Sequence, residues 1–202
     1  MQREERSERS RRNVLDAALR LFAHRGYRAT TVRDIADAAK VSTGAVYHYF
    51  ADKETMFRAL LEEFSAITAT KRYPFTRALL AGRFPDDIEH LGQAARESVR
   101  EFRDYVALIY VDVIEFEGTH IQKFYGDMGR RTAATLGEEA MARIRSRMRP
   151  NVPPISALLL TSRIFFNYFS IEILFNVAEP FGKDSATVVM EIADILRNGM
   201  LV

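Results

Sequence analysis

Tyr47, His48 and Tyr49 stand side by side near the end of the stretch TVRDIADAAKVSTGAVYHYFADKE, Thr31–Glu54. A core helix has no need of three consecutive polar aromatic rings. Such rings can donate hydrogen bonds to phosphate oxygens or touch thymine methyl groups. Thr43 and Gly44 lie four residues before Tyr47 and His48, so helical spacing puts each pair on one face. Gly44 and Ala45 are small enough to let the backbone come close to a ligand. A helix start there also offers free N–H groups to phosphate. Lys53, one turn past the helix end, adds a point charge, and Arg33 has a fork that can be bidentate to guanine O6 and N7.

Nothing else in the chain has a comparable pattern. With no Cys among its 202 residues, the chain has no disulfide framework, thiol nucleophile or thiolate metal site. His24, His48, His90 and His120 are scattered and lack metal-ligand spacing. No Gly-rich phosphate loop or nucleophile–base constellation is present. Glu117 and His120 have one Glu-x-x-His spacing, but Gly118 breaks the helix, and a carboxylate-bridged metal pair needs two such motifs. No catalytic residue, metal or cofactor is expected. An enzyme on a helical bundle would have to show turnover where DNA binding fails.

The elements that must position these residues are helical throughout. Thr31 can cap a short helix whose inner face is Val32, Ile35, Ala36 and Ala39. Ser42 or Thr43 can cap the next, with Val41, Val46 and Phe50 inward. Two short helices joined by a tight turn, on a preceding helix bearing Val14, Leu15, Ala18, Leu21 and Phe22, form a helix-turn-helix. Asp52 caps a longer helix that Pro74 interrupts or ends. Asp86 starts a long helical pattern running to Phe116, with Gly118 as its breaker. Another helix spans roughly Thr119–Met148, interrupted by glycines. Two more follow a Pro-rich linker, at Ile155–Ala178 and Ser185–Met200. No stretch alternates with period two, so the fold class is all-α.

Composition is that of a soluble globular protein, 48% apolar and 28% charged. The charged start, MQREERSERSRRN, lacks an apolar continuation and does not read as a secretory signal. No apolar run spans a bilayer, so a cytoplasmic protein without membrane attachment is expected. Residues 1–60 hold 12 Lys/Arg against 8 Asp/Glu, whereas residues 61–202 hold 17 against 19. The basic third suits an anionic partner. Arg3, Arg6, Arg9, Arg11 and Arg12 could form an arm reaching phosphate or minor groove, or a plain disordered tail.

The stretch resembles the DNA-binding domain of the TetR family of bacterial regulators. The resemblance rests on Thr31, Ile35, Ala36, Ala39, Val41, Ser42, Gly44, Tyr47, Tyr49, Phe50, Lys53 and Glu54, with Met56 for the usual leucine. Lys40 replaces the usual turn glycine, which implies strain or a different turn. The resemblance covers about residues 9–60. It implies a helix-turn-helix domain over 1–52 and a helical effector-binding and dimerisation domain over 53–202. It places DNA contacts on Thr31, Arg33, Thr43, Gly44, Ala45, Tyr47, His48, Tyr49 and Lys53.

Family likeness further implies a homodimer through helices near 155–178 and 185–200. The first of these is apolar nearly all round and must be buried on more than one side. Two recognition helices would then read a palindromic operator in double-stranded DNA. An aromatic-rich set suits a small apolar or aromatic effector: Phe102, Tyr105, Ile109, Tyr110, Val113, Phe116, Phe124, Phe165, Asn167, Tyr168 and Phe169. Ordinary core is the competing reading for each of them. Asp112, Glu115, Glu117 and Glu172 could meet a cationic ligand or pair with Arg100, Arg103 or Arg163. The function implied is a ligand-released repressor. A transcriptional activator of the same fold, and a helical ligand-binding protein without specific DNA binding, stay open.

Overall fold

A computed structural model describes residues 2–200; Met1, Leu201, Val202 and the side chains of Gln2, Arg3 and Met200 lie outside the described residues. The described residues form eleven helices and no strand. In chain order they are α1 (Gln2–Arg25), α2 (Val32–Ala39), α3 (Thr43–Tyr49), α4 (Lys53–Thr68), α5 (Pro74–Leu80) and α6 (Ile88–Glu101). Then come α7 (Arg103–Phe116), α8 (Ile121–Gly126), α9 (Met128–Arg147), α10 (Pro154–Ile173) and α11 (Ser185–Met200).

By contact the chain divides into two compact units. The first contains residues up to Ser65 together with Asp104–Phe124; the second contains Ala66–Arg103 and the chain from Tyr125 onward. The boundaries thus fall inside α4, after the first residue of α7 and inside α8.

In the first unit, α1 buries Val14, Leu15, Ala17, Ala18 and Phe22 against Ile35 and Ala36 of α2, Val46 of α3, and Met56, Phe57 and Leu60 of α4. Each fully buried large side chain contributes about 1.5–3 kcal/mol. In the second unit α6, α10 and α11 meet at Gly92. A Cβ there would lie 2.8 Å from Val189 and 2.9 Å from Phe165, so the glycine permits the close approach.

Several expectations need correction. The arginine-rich start is not a disordered tail but the first turns of α1, where Arg6, Arg9, Arg11 and Arg12 lie; Arg3's side chain is outside the described residues. Glu4 and Glu5 complement the helix N-terminus, and Glu8–Arg11 and Arg12–Asp16 pair along the helix. Pro74 does not end the preceding helix. It opens α5, where its missing N–H is harmless. The helix expected from Asp86 to Phe116 is two helices, broken at Phe102 (φ −107, ψ 29) and capped by Asp87. Phe102 is buried against Tyr73, ring centroids 5.3 Å apart, so packing sets the break. The next expected helix is also two, α8 and α9, and Gly137 (φ 76, ψ 171) kinks α9. The helix expected to reach Ala178 stops at Ile173, and Asn176 takes φ 55 just beyond.

Lys40 adopts φ 56, ψ 44, the left-handed conformation. Its N–H and that of Val41 return to Asp37 O and Ala36 O, closing the end of α2. The turn geometry that glycine usually supplies is therefore kept, with the strain on a lysine. Lys40→Gly is predicted to raise stability by about 1 kcal/mol, read by urea denaturation; an unchanged or lowered midpoint would contradict the strain.

Candidate nucleic-acid interface

Two caps set the frame of the interface. The Thr31 hydroxyl accepts the Asp34 N–H at 3.1 Å and donates to Asp34 Oδ2 at 2.5 Å, while the Thr31 N–H donates to Oδ2 at 2.8 Å. This reciprocal box starts α2. Ser42 caps α3 by accepting the Ala45 N–H at 3.1 Å. A third cap, Asp52, accepts the Thr55 N–H at 2.6 Å and starts α4. Hydrogen bonds from the hydroxyl and then the N–H of Thr31 and of Thr55 hold the carboxyls of Asp34 and Asp52, respectively, below their ordinary 3.8.

α3 is anchored from one side. Val46 is fully buried and Phe50 nearly so, with the Arg11 guanidinium 5.1 Å from the Phe50 ring centroid. The opposite face is open: Tyr47 is 56% exposed, and Thr43, Gly44 and His48 are exposed as well. Ala45 and Tyr49 are half-buried. The Tyr49 hydroxyl accepts from Ser7 Oγ at 3.4 Å, and its ring meets His48 edge-on at 5.1 Å. Arg33 is exposed on α2.

Lys53 does more than add a surface charge. Its ammonium donates to Tyr27 O at 2.7 Å and Thr30 O at 2.8 Å, and lies 4.0 Å from the Tyr27 ring centroid. Partial burial lowers its pKa, against the opposing pull of Glu115. From the other side the Glu115 carboxylate accepts the Tyr27 N–H at 2.9 Å and the Arg28 N–H at 2.7 Å. The loop that leads into α2 is thus held between an anion and a cation. The Tyr27 ring packs on Phe22, Phe57 and Phe116 at 5.4, 5.6 and 4.5 Å.

Asp112 and Glu172 also find partners different from the arginines expected. Asp112 is fully buried, 2.6 Å from His120 Nδ1, and accepts the Ile121 N–H at 3.0 Å. Glu172 accepts from Arg96 at 2.8 Å and from Ser185 at 2.9 Å. Glu117 is exposed, and Arg163 stacks on Tyr125 at 5.0 Å. These pairings lack a sequence signal beyond an acid in apolar surroundings.

The residues expected around an effector fall in both units. Tyr105, Ile109, Tyr110, Val113, Phe116 and Phe124 belong to the first. There Tyr105 is buried, stacks on Phe64 at 5.3 Å and donates to Glu63 at 2.9 Å; burial pushes its hydroxyl up to about 12. Val113 is exposed, and Phe124 stacks on Phe64 at 6.1 Å. Phe102, Phe165, Tyr168 and Phe169 are buried in the second unit, and Asn167 is exposed. A small cleft of about 40 Å³ in that unit is lined by Thr68, Ala69, Thr76, Leu79, Arg131, Thr132 and Thr135, none of them in the expected set.

Residues 14–60 match the family model of bacterial regulatory proteins, tetR family. Over that stretch the chain carries the helix-turn-helix module of the TetR family. Over 54 residues it is 56% identical to the HTH-type transcriptional repressor KstR2 of Rhodococcus jostii, covering 27% of this chain and 26% of that protein. Over 57 residues it is 46% identical to the repressor AcnR of Corynebacterium glutamicum, covering 28% and 30%. The chain thus matches less than a third of the length of these curated relatives. A solved TetR-family structure from Mesorhizobium loti aligns over 98% of this chain and 99% of its own, with TM-score 0.67 and 20% identity. That likeness extends the TetR fold, a helix-turn-helix followed by a larger helical region, over the described chain.

Lys53→Met removes two charge-assisted bonds and is predicted to lower stability by about 2 kcal/mol, read by urea denaturation; an unchanged midpoint would show that the loop does not depend on it. The Asp34 and Asp52 caps give a pH prediction. Both carboxyls are depressed in the folded state, so the stability they lend is full above 3.8 and is lost as pH falls through their lower folded values. Between about pH 5 and about pH 2 the wild type should lose stability more steeply than Asp34→Asn/Asp52→Asn. Equal slopes would contradict this.

Proposed function

We propose that the chain is a transcriptional repressor that binds a palindromic operator in double-stranded DNA as a homodimer and is released by a small apolar or aromatic ligand. The observation that carries the reading is α3: anchored by Val46 and Phe50, it leaves Thr43, Gly44, Tyr47 and His48 open on one face. That is how a recognition helix must be built to enter a major groove. Relatives that match over 54 and 57 residues of this chain are named repressors.

In this reading Arg33, Thr43, Gly44, Ala45, Tyr47, His48 and Tyr49 meet the groove and its phosphates. Thr31 lies at the edge, its hydroxyl already engaged with Asp34. Lys53 uses two of its three donors internally, and the third is proposed to face phosphate. Residues 1–52 are the DNA-binding domain by function, and 53–202 the effector-binding and dimerisation domain. Support for the dimer comes from apolar side chains left open on and near α10 and α11: Leu160, Phe175, Met190 and Ile195 are 53%, 54%, 57% and 70% exposed. An isologous pairing would cover them. The effector is proposed to act by favouring the conformation that binds DNA less well. No described helix is long and apolar enough to cross a membrane, which suits the cytoplasmic site of action proposed.

Selection from a pool of random duplex DNA tests the reading. A palindromic consensus is expected. Arg33→Ala should then relax preference at one base position in each half-site, by about 1–3 kcal/mol of discrimination. Retention without any consensus would leave a nonspecific binder, and no retention a helical ligand-binding protein; either result contradicts a sequence-specific regulator.

A further inference from the structure

We infer that Glu115 is a positioning residue for DNA binding: its carboxylate, seated on the loop before α2, fixes how the helix-turn-helix stands on α7 and so the separation of the two recognition helices. The inference rests on the DNA-binding reading above and names the contact through which that reading is regulated.

Glu115 lies 88 residues from Tyr27 in sequence, yet its two carboxylate oxygens take the N–H groups of Tyr27 and Arg28. Arg28 returns a bond from its guanidinium to Glu115 O at 3.3 Å. The fit is tight: a Cβ on Gly26 would lie 2.7 Å from Glu115 Oε1, and Gly26 takes φ +85. The next residue of α7, Phe116, packs its ring tilted against Tyr27, centroids 4.5 Å apart. Both the charge and the apolar end of α7 therefore grip one residue, Tyr27.

From Tyr27 the path to the interface is short. Thr30 is buried and bonds back to Gly26 O at 2.8 Å, and Thr31 is the cap of α2. A displacement of Glu115 reaches the first turn of α2 within four residues of chain. In a two-fold dimer such a displacement changes the distance between recognition helices, which must match the half-site separation on DNA. A residue that only stabilised the fold would lower affinity on every duplex alike. A positioning residue must also govern which separation is preferred.

The experiment uses the full chain and the consensus found by selection, placed on duplexes whose half-sites stand at the selected separation or one base pair nearer or farther. Wild type is expected to prefer the selected separation. Folded Glu115→Ala should lose about tenfold in affinity there, a size typical of coupling between sites. It should also discriminate less among the three separations. Its salt slope should stay unchanged, because no phosphate contact is removed. Glu115→Gln, which keeps an acceptor for one N–H, should fall between, and Glu117→Gln should behave as wild type. A folded Glu115→Ala with the wild-type spacing preference overturns the inference. If that variant does not fold, Glu115→Gln decides in its place: narrowed discrimination supports the inference and unchanged discrimination overturns it. Failure of wild type to select any duplex would instead overturn the DNA-binding reading itself, and the inference with it.

Discussion

The peptide units on either side of Tyr27 are held from opposite directions, the N–H by the Glu115 carboxylate and the carbonyl by the Lys53 ammonium. Much of the first unit depends on this clamp. α2 has 8 residues and α3 has 7, too few to persist alone in water. Their stability comes from packing on α1 and α4 and from a fixed entry to α2. The clamp supplies the entry. The Tyr27 ring, enclosed by Phe22, Phe57 and Phe116, supplies the apolar surface that makes the same position favourable.

The charges of this unit follow one rule: where a charge is withdrawn from water, it meets a partner. Asp112 lies between His120 and the Ile121 N–H. Arg12 bonds Asp16 and Glu63, and Glu63 also takes the Tyr105 hydroxyl. These bonds tie α7 and the start of α8 to α1 and α4 within one compact body. Outside that body's core, Thr43, Gly44, Tyr47 and His48 remain open. The contrast between fully engaged inner groups and an open α3 face is the physical basis for reading that face as the binding surface.

The sequence made the helix-turn-helix legible because its determinants are local. Thr31, Ser42 and Asp52 announce three helix starts, and Ile35, Ala36, Val46 and Phe50 announce the inner faces. Lys40 in a glycine's place left strain or a different turn open, and the structure keeps the left-handed turn. Elements set by tertiary packing were not legible. Nothing near Phe102 marks a helix break; burial against Tyr73 decides it. Periodicity likewise reads Glu115 only as an acid among apolar residues. Which amides it meets depends on bringing positions 27 and 115 together, and no local pattern encodes that. The effector site is the least legible part for the same reason, since aromatic residues at helical spacing serve core and cavity alike.

Amide hydrogen exchange at Tyr27 and Arg28 tests the clamp most directly. Loop amides ordinarily exchange through small local openings. If Glu115 and Lys53 hold this loop as the structure indicates, both amides should exchange only about as fast as the buried helical amides of α1. Glu115→Ala should then release those two amides while leaving α1 protected. Rapid exchange at Tyr27 and Arg28 in the wild-type protein would contradict the account, because the loop that sets the angle of the helix-turn-helix would then not be held.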